Sequence, residues 1–307
     1  MEFSKIFAGK VKRAGLHRVA GYHAYHAIWL AKFRYSAPMI GITSNQVKKI
    51  YTGVLSSCLS AGGYSNKMPR AVVFGPTILG GMDWDNPLII YLYEKIKMLV
   101  GSIRLKDTVG RLMLMQISWL QLFAGTGTPL LESNFDINYL PKGWIRTVQR
   151  LLVEFQVKIK IYTAWKPTKQ RQQDRIIMDY VTQHIPKWAW EGINTCRLYM
   201  KATTVTDIAT IDGRFIPDHI RNVKSPIRDS KIQFPIQCRP SKQDIEQWQY
   251  FVDSISHNRR LHIQLGKWVR TPDQHYDYMS NSTQTVVYKR TQQLWKEIGR
   301  ASCRERV

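Results

Sequence analysis

Three helix starts are written into this chain clearly enough to set its fold class. Thr43 stands three residues before Gln46, and Ser241 three before Asp244. In that arrangement an N-cap hydroxyl and a side chain one turn on satisfy each other's backbone N–H groups. Asn86-Pro87 adds an N-cap followed by proline at the first helical position, where a missing N–H costs nothing. The starts predict helices over 44–59, 87–100 and 241–256. Apolar periodicity adds helices at 16–35, 108–124, 144–155, 172–184 and 188–201. Gly62-Gly63 and Gly125 stand where two of these helices stop. Asp212-Gly213, within "IATIDGRFIP", suits a tight hairpin turn. "LHIQLGKWV" and "STQTVVYKR" have the β-branched and aromatic content of short strands. The expected fold is mainly α, with a hairpin and a small α+β part towards the C-terminus.

Ten Trp, fifteen Tyr and 44% hydrophobic residues are enough to build folded cores. Forty-five Lys and Arg stand against 22 Asp and Glu, a formal charge of +23. A folded body of that charge favours polyanionic partners, nucleic acid first and an anionic membrane surface second. Cys58, Cys196, Cys238 and Cys303 lie far apart with no C-x-x-C pair, which argues against a zinc ribbon or a disulfide scaffold. The N-terminus lacks a signal-peptide apolar run. The most apolar window, 112–123, is too short to span a bilayer. An intracellular protein without a membrane partner is expected. The last ten residues, "IGRASCRERV", correspond codon for codon to a widely used sequencing adapter read in frame. They are treated as an artefact, and setting them aside lowers the formal charge by two.

The stretch "AVVFGPTILGG", 71–81, has the outline of a strand and glycine-rich turn leading to a helix. Gly75 and Gly80 have phosphate-loop spacing, but such a loop needs Lys and then Ser or Thr after its second glycine. Gly81 and Met82 occupy those places, so a structural turn is expected. His17, His23 and His26 lack neighbouring Cys or carboxylate ligands, and a metal site needs three or four. Asp83 and Asp85 flank a helix start, where the dipole favours acids. "PDQHYDY", 272–278, lacks the lysine that would complete a nuclease site. Neither a metal nor a catalytic residue is expected. On the 16–35 helix, Leu16, Val19, Ala20, Ala27, Leu30 and Ala31 form the expected apolar face. Arg18, Tyr22, Tyr25, Trp29 and Lys32 form the opposite stripe. Basic residues interleaved with large aromatics suit a phosphate backbone and its bases, and these five are the candidate nucleic-acid contacts.

"YHAYHAIWLAKFRYSAPMIGITSNQVKKIYTGVLSSCLSAGGYSNKMPRAVVFGPTILGGMDW" resembles the region just after the palm in retrotransposon-type reverse transcriptases. The resemblance is carried by Tyr35-Ser36-Ala37-Pro38, by Pro69-Arg70-Ala71-Val72-Val73-Phe74-Gly75-Pro76 and by Gly80-Gly81. "LMLMQISWLQLFAGTGTP" and "INTCRLYMKATTVTDIATIDG" are similar to the long C-terminal region of the same elements. The resemblance implies a thumb over 1–82 and a helical post-thumb region over 83–220. A linker over 221–240, a small α+β segment over 241–297 and the artefact 298–307 complete the division. It also implies an RNA/DNA duplex as ligand, Arg70 among its contacts, and palm and fingers domains as partners. The family holds two metal ions on paired aspartates, and this chain has no Asp-Asp. Magnesium would belong to the absent palm, and this chain alone is expected not to polymerise. Met82 stands where leucine is usual. The expected function is that of a nucleic-acid-binding fragment of a reverse transcriptase. The rivals are an independent basic RNA- or DNA-binding protein and a small-molecule enzyme using the glycine-rich turn.

Overall fold

A computed structural model describes residues 2–161, 166–224 and 239–269. The chain is mainly helical, with one two-stranded antiparallel sheet among the described residues. It divides into two compact units, 1–110 with 142–155, and 111–141 with 156–307. The boundary expected at residue 82 therefore falls inside the first unit.

The first unit holds α1 (Glu2–Arg13), α2 (Arg18–His23), α3 (Ala31–Ser36), α4 (Ser44–Ala61), α5 (Arg70–Phe74) and α6 (Pro87–Leu105). The capping box at Thr43 and the Asn86 cap are both formed. The 16–35 region is helical, but its centre, Ala24–Leu30, is a π-helix. The expected faces are realised only in part, since Leu30 of the expected apolar face is buried and Tyr22 and Lys32 of the opposite stripe are exposed. Gly21, Tyr25, Trp29, Phe33 and Ala37 are buried, whereas Val19, Ala27, Ile28 and Ala31 are exposed. An α-helix advances about 100° per residue, so a four-residue repeat drifts by about 40° each step. The wider π turn, bonded i→i+5, absorbs that drift and keeps the aromatic repeat pointing inward. Gly21 lets α2 cross α4 closely, since a Cβ there would lie 2.9 Å from the Cys58 carbonyl oxygen.

The segment after α3 is pinned by α6. Tyr91 Oη donates to Ile40 O at 2.8 Å and accepts from Ile42 N at 3.0 Å. One turn on, the fully buried Lys95 donates to Pro38 O at 3.3 Å. Helix α8 (Trp144–Glu154) returns to this unit and aims Trp144 Nε1 at the same carbonyl, 2.6 Å away. Lys95 Nζ thus lies between the rings of Tyr91 and Trp144, at 4.9 and 4.7 Å. With no carboxylate to offset it, burial lowers the Lys95 pKa to about 8.

The expected strand at 71–74 is instead helix α5, because Val72 and Val73 N–H groups bond back to Pro69 O. A 3₁₀ turn over Thr77–Leu79 follows, and Gly80 takes φ +78. The chain then doubles back, with Gly81 N on Pro76 O, Met82 N on Val72 O and Trp84 N on Val73 O. A Cβ on Gly81 would lie 2.0 Å from Gly75 O, so glycine there is a packing requirement.

The second unit contains most of α7 (Thr108–Ala124), then α9 (Ile177–His184), α10 (Trp190–Met200), α11 (Val205–Ile208), α12 (Asp218–Arg221) and α13 (Lys242–Ile255). Its centre is Arg197 on α10, fully buried. Its Nη2 donates to Leu122 O and Phe123 O at 3.0 and 2.8 Å, and its Nη1 to Ala202 O at 3.1 Å. Tyr139 Oη donates to Ala124 O at 2.9 Å. One guanidinium and one phenol thereby satisfy the end carbonyls that α7 cannot pair itself. Gln121 binds Thr126 O and accepts from Leu130 N, ordering the loop beyond Gly125. Helix α13 opens on its Ser241 capping box and buries Trp248, Phe251 and Val252; it packs on α10, where Gly192 faces Gln247.

Helix α9 begins at Ile177 rather than near 172, because Gln172 is drawn into extended pairing with Gly266 and Lys267. The turn at Asp212-Gly213 is present, with Gly213 at φ +71. Strands β1 (Ser256–His257) and β2 (Arg260–Leu261) form the sheet. Most of the expected linker, the "STQTVVYKR" strand and the adapter-like tail lie outside the described residues, as do Cys238 and Cys303.

Two outcomes follow. Arg197→Met leaves three carbonyls orphaned and is expected to destabilise the second unit by about 3 kcal/mol or more, read by urea unfolding. For Lys95, the folded pKa lies below the unfolded value of 10.5. The unfolded chain therefore holds more protons between about pH 8 and 10.5, and the penalty for charged Lys95 is relieved as pH rises through that window. Lys95→Met is expected to be at least as stable as the wild type at pH 7, with its advantage shrinking by pH 10.

Candidate nucleic-acid interface

The aromatic stripe singled out in the sequence is a packing element. Tyr25 and Trp29 are 0% and 1% exposed. Their rings stack at 5.5 Å, and Trp29 continues onto Phe33 at 5.4 Å and 10°. Tyr25 also lies 5.0 Å from the ring of buried Trp84 and donates its hydroxyl to Asp85 O at 2.9 Å. Trp29 Nε1 donates to Ser4 Oγ of α1 at 3.1 Å. Burial, with smaller contributions from Tyr51 and Asp85, raises the Tyr25 pKa. No ring face of either residue is open to a base, which corrects their assignment as stacking contacts.

The other predicted residues have separate fates. Tyr22 is partly exposed, packed against His26 at 4.2 Å and Trp84 at 5.6 Å. Lys32 is exposed, with Nζ 3.8 Å above the Phe3 ring. The Arg18 backbone opens α2, but its side chain lies outside the described residues. Arg70 opens α5, half-buried beside Tyr51, and its buried Nη1 has no hydrogen-bond partner among the described residues. Asp83 and Asp85 make no metal site. Asp85 lies 3.5 Å from His26 Nδ1 and 3.9 Å from Arg34. Burial lowers the His26 pKa while Asp85 partly opposes it. No cluster suited to a metal ion exists among the described residues.

The cationic surface lies one helix away. Helices α1 and α4 pack side by side and leave a cleft of about 330 Å³ between them. Lys5, Lys12 and Lys49 line it, and no Asp or Glu does. Lys5 and Lys12 are seven residues apart, so they share a face of α1 about 10 Å apart. Gly9 and Gly53 also line the cleft, and a Cβ on Gly53 would meet nothing within 4 Å. Missing side chains there leave the space between the lysines open. Lys10, Arg13 and Lys48 are exposed on the same two helices, whose only acid is Glu2. The i,i+7 lysine pair was visible in the sequence; its juxtaposition with Lys49 depends on tertiary packing.

Trp29→Ala is expected to destabilise the first unit by about 3 to 5 kcal/mol, as for a large core truncation. Tyr22→Ala should cost far less, and thermal melts of the two variants check the contrast. Neither a protein-family model, nor a curated protein, nor a solved structure matches the chain.

Proposed function

We propose that this chain is a nucleic-acid-binding segment of a retroelement reverse transcriptase, lying downstream of the palm and grasping duplex through its phosphates. The observation that carries the binding reading is the acid-free cleft of Lys5, Lys12 and Lys49, in a chain of formal charge +23. Three ammonium groups in a concave strip neutralise phosphates and release their counterions, with no requirement for base sequence. The polymerase ancestry rests on the sequence resemblance, densest at Pro69–Pro76 and Gly80-Gly81. Catalysis would belong to a domain carrying the paired aspartates and their magnesium, and this chain would contribute grip.

The cleft replaces the aromatic stripe as the proposed contact because ammonium groups on exposed helix faces can reach a backbone, whereas Tyr25 and Trp29 cannot. Duplex affinity is expected to fall steeply with salt. Replacing Lys5, Lys12 and Lys49 together with alanine should flatten the log–log salt slope by about 2 to 3, close to one per lost phosphate contact. Fluorescence anisotropy with a labelled primer–template duplex reads both effects. Salt-independent binding, or an unchanged slope in the triple variant, would overturn the assignment.

A further inference from the structure

A second surface, built wholly within the second unit, is absent from that reading. Strands β1 and β2 pair His257 with Arg260 and Ser256 with Leu261. A third extended segment joins them, with Phe215 bridged to Arg260, Leu261 N bonded to Arg214 O and Ile216 N to Arg259 O. Residues directly opposite one another share a face of a sheet, and neighbours along a strand alternate. Ser256, Leu261 and Ile216 are buried on one side. His257, Arg260 and Phe215 therefore form a row across three segments on the other side, all exposed.

A phenyl ring 44% exposed at the middle of a paired segment is unusual company for two basic groups. The surrounding chain adds to both characters. Asn258 and Arg259 make the β1–β2 turn with φ of +48 and +67. That turn favours glycine at its second position, and here it holds a guanidinium at its tip instead. Trp268, 42% exposed, stacks over the Arg171 guanidinium at 5.0 Å. Arg171 is fixed by bonds to Gly266 O and Ile211 O. The acids nearby are already engaged. Asp253 accepts from Nε and Nη2 of Arg221, Asp218 lies 3.5 Å from Lys224 and 3.9 Å from Arg259, and Asp212 accepts from Thr210 and Arg214 N. Arg260 has no ion-pair partner among the described residues.

We propose that this platform binds single-stranded nucleic acid, with an unpaired base stacked on Phe215 and the adjoining phosphate held by Arg260. A duplex keeps its bases stacked on one another and offers no free face to Phe215, whereas a single strand offers both base and phosphate. An acidic peptide would engage Arg260 but would leave the phenyl ring unused. The platform takes the same ligand class as the α1–α4 cleft but rests on different residues in the other unit, so the two stand or fall separately.

The test measures anisotropy of labelled oligothymidylate about a dozen nucleotides long and of an abasic strand of equal charge, binding to the full chain. Phe215→Ala is expected to weaken oligothymidylate binding about five-fold or more, with abasic binding unchanged. Phe215→Trp should restore it, and Arg260→Ala should weaken both strands and flatten the single-strand salt slope by about 0.7. Thermal melts establish that each variant folds, and the wild-type comparison of base-bearing with abasic strand supplies a readout should the alanine variant not. The proposal is overturned if the folded Phe215→Ala variant binds oligothymidylate as the wild type does. It is equally overturned if the wild type binds the abasic strand as tightly as the base-bearing one. The Lys5, Lys12 and Lys49 triple variant separates the surfaces. Duplex grip lost with Phe215-dependent binding retained supports both sites. Base-dependent binding lost with the lysines sinks the platform and spares the cleft. Duplex grip unchanged by the triple variant, alongside Phe215-dependent single-strand binding, sinks the cleft and spares the platform.

Discussion

The ladder of rings Tyr25, Trp29 and Phe33 decides what the first unit can show to solvent. Aromatics four residues apart share a helix face but drift by about 40° at each step of an α-helix, and the π segment Ala24–Leu30 reduces that drift. Once the ladder is inside, Trp29 reaches Ser4 and ties α1 to the core, and Tyr25 reaches Asp85 just before α6. The lysines of α1 are left to face the cleft with α4. The charged surface of this unit is thus a by-product of where its rings had to go. Two polar anchors then close the structure at Pro38 O, where an indole N–H and a buried ammonium converge on one carbonyl.

The second unit solves a different problem, the helix end. α7 finishes inside protein, where its last carbonyls find no water, and Arg197 supplies the missing donors from α10. The arrangement is charge-assisted hydrogen bonding without a carboxylate partner, so the guanidinium acts as a shared cap. Burial pulls the Arg197 pKa down to about 10, and Tyr139 and Asp207 oppose the shift. Gly125 follows from the same geometry, because a Cβ there would sit 2.5 Å from the Arg197 guanidinium carbon. Helix end, glycine and arginine form one unit of structure spread over two distant segments.

What was legible in the sequence was local. The caps at Thr43, Asn86 and Ser241 are formed as their residue types dictate, because a cap involves only one helical turn. The mainly helical class followed from the same signals; a small sheet towards the C-terminus was expected from β-branched and aromatic content, but its pairing of Ser256–His257 with Arg260–Leu261 was not foreseen. The inward face of residues 18–36 was misread because a 3.6-residue projection assumes an α-helix throughout, and nothing local announces a π turn. Residues 71–74 were misread because a short β-branched run is ambiguous until Pro69 O is known to accept from Val72 and Val73. The candidate interface was legible only in part. Charge pointed to a polyanion, but the Lys5–Lys12 pair went unread, and Lys49 joins it only through packing. The row His257, Arg260 and Phe215 draws on segments some forty residues apart along the chain, and no periodicity within one segment could show it.

The doubled-back loop at 75–84 carries a further consequence. Its frame is set by Gly75 and Gly81, packed backbone to backbone, while its tip lifts Ile78 and Leu79 almost wholly into solvent, at 90% and 81% exposed. Constraint and freedom are therefore divided along a few residues. The two glycines cannot drift without opening the loop, whereas the tip can change identity while the frame holds. Across diverging copies of such a chain, the glycines would remain as a fixed bracket while the side chains between them varied. That pattern would mark descent at the bracket and adaptation at the tip.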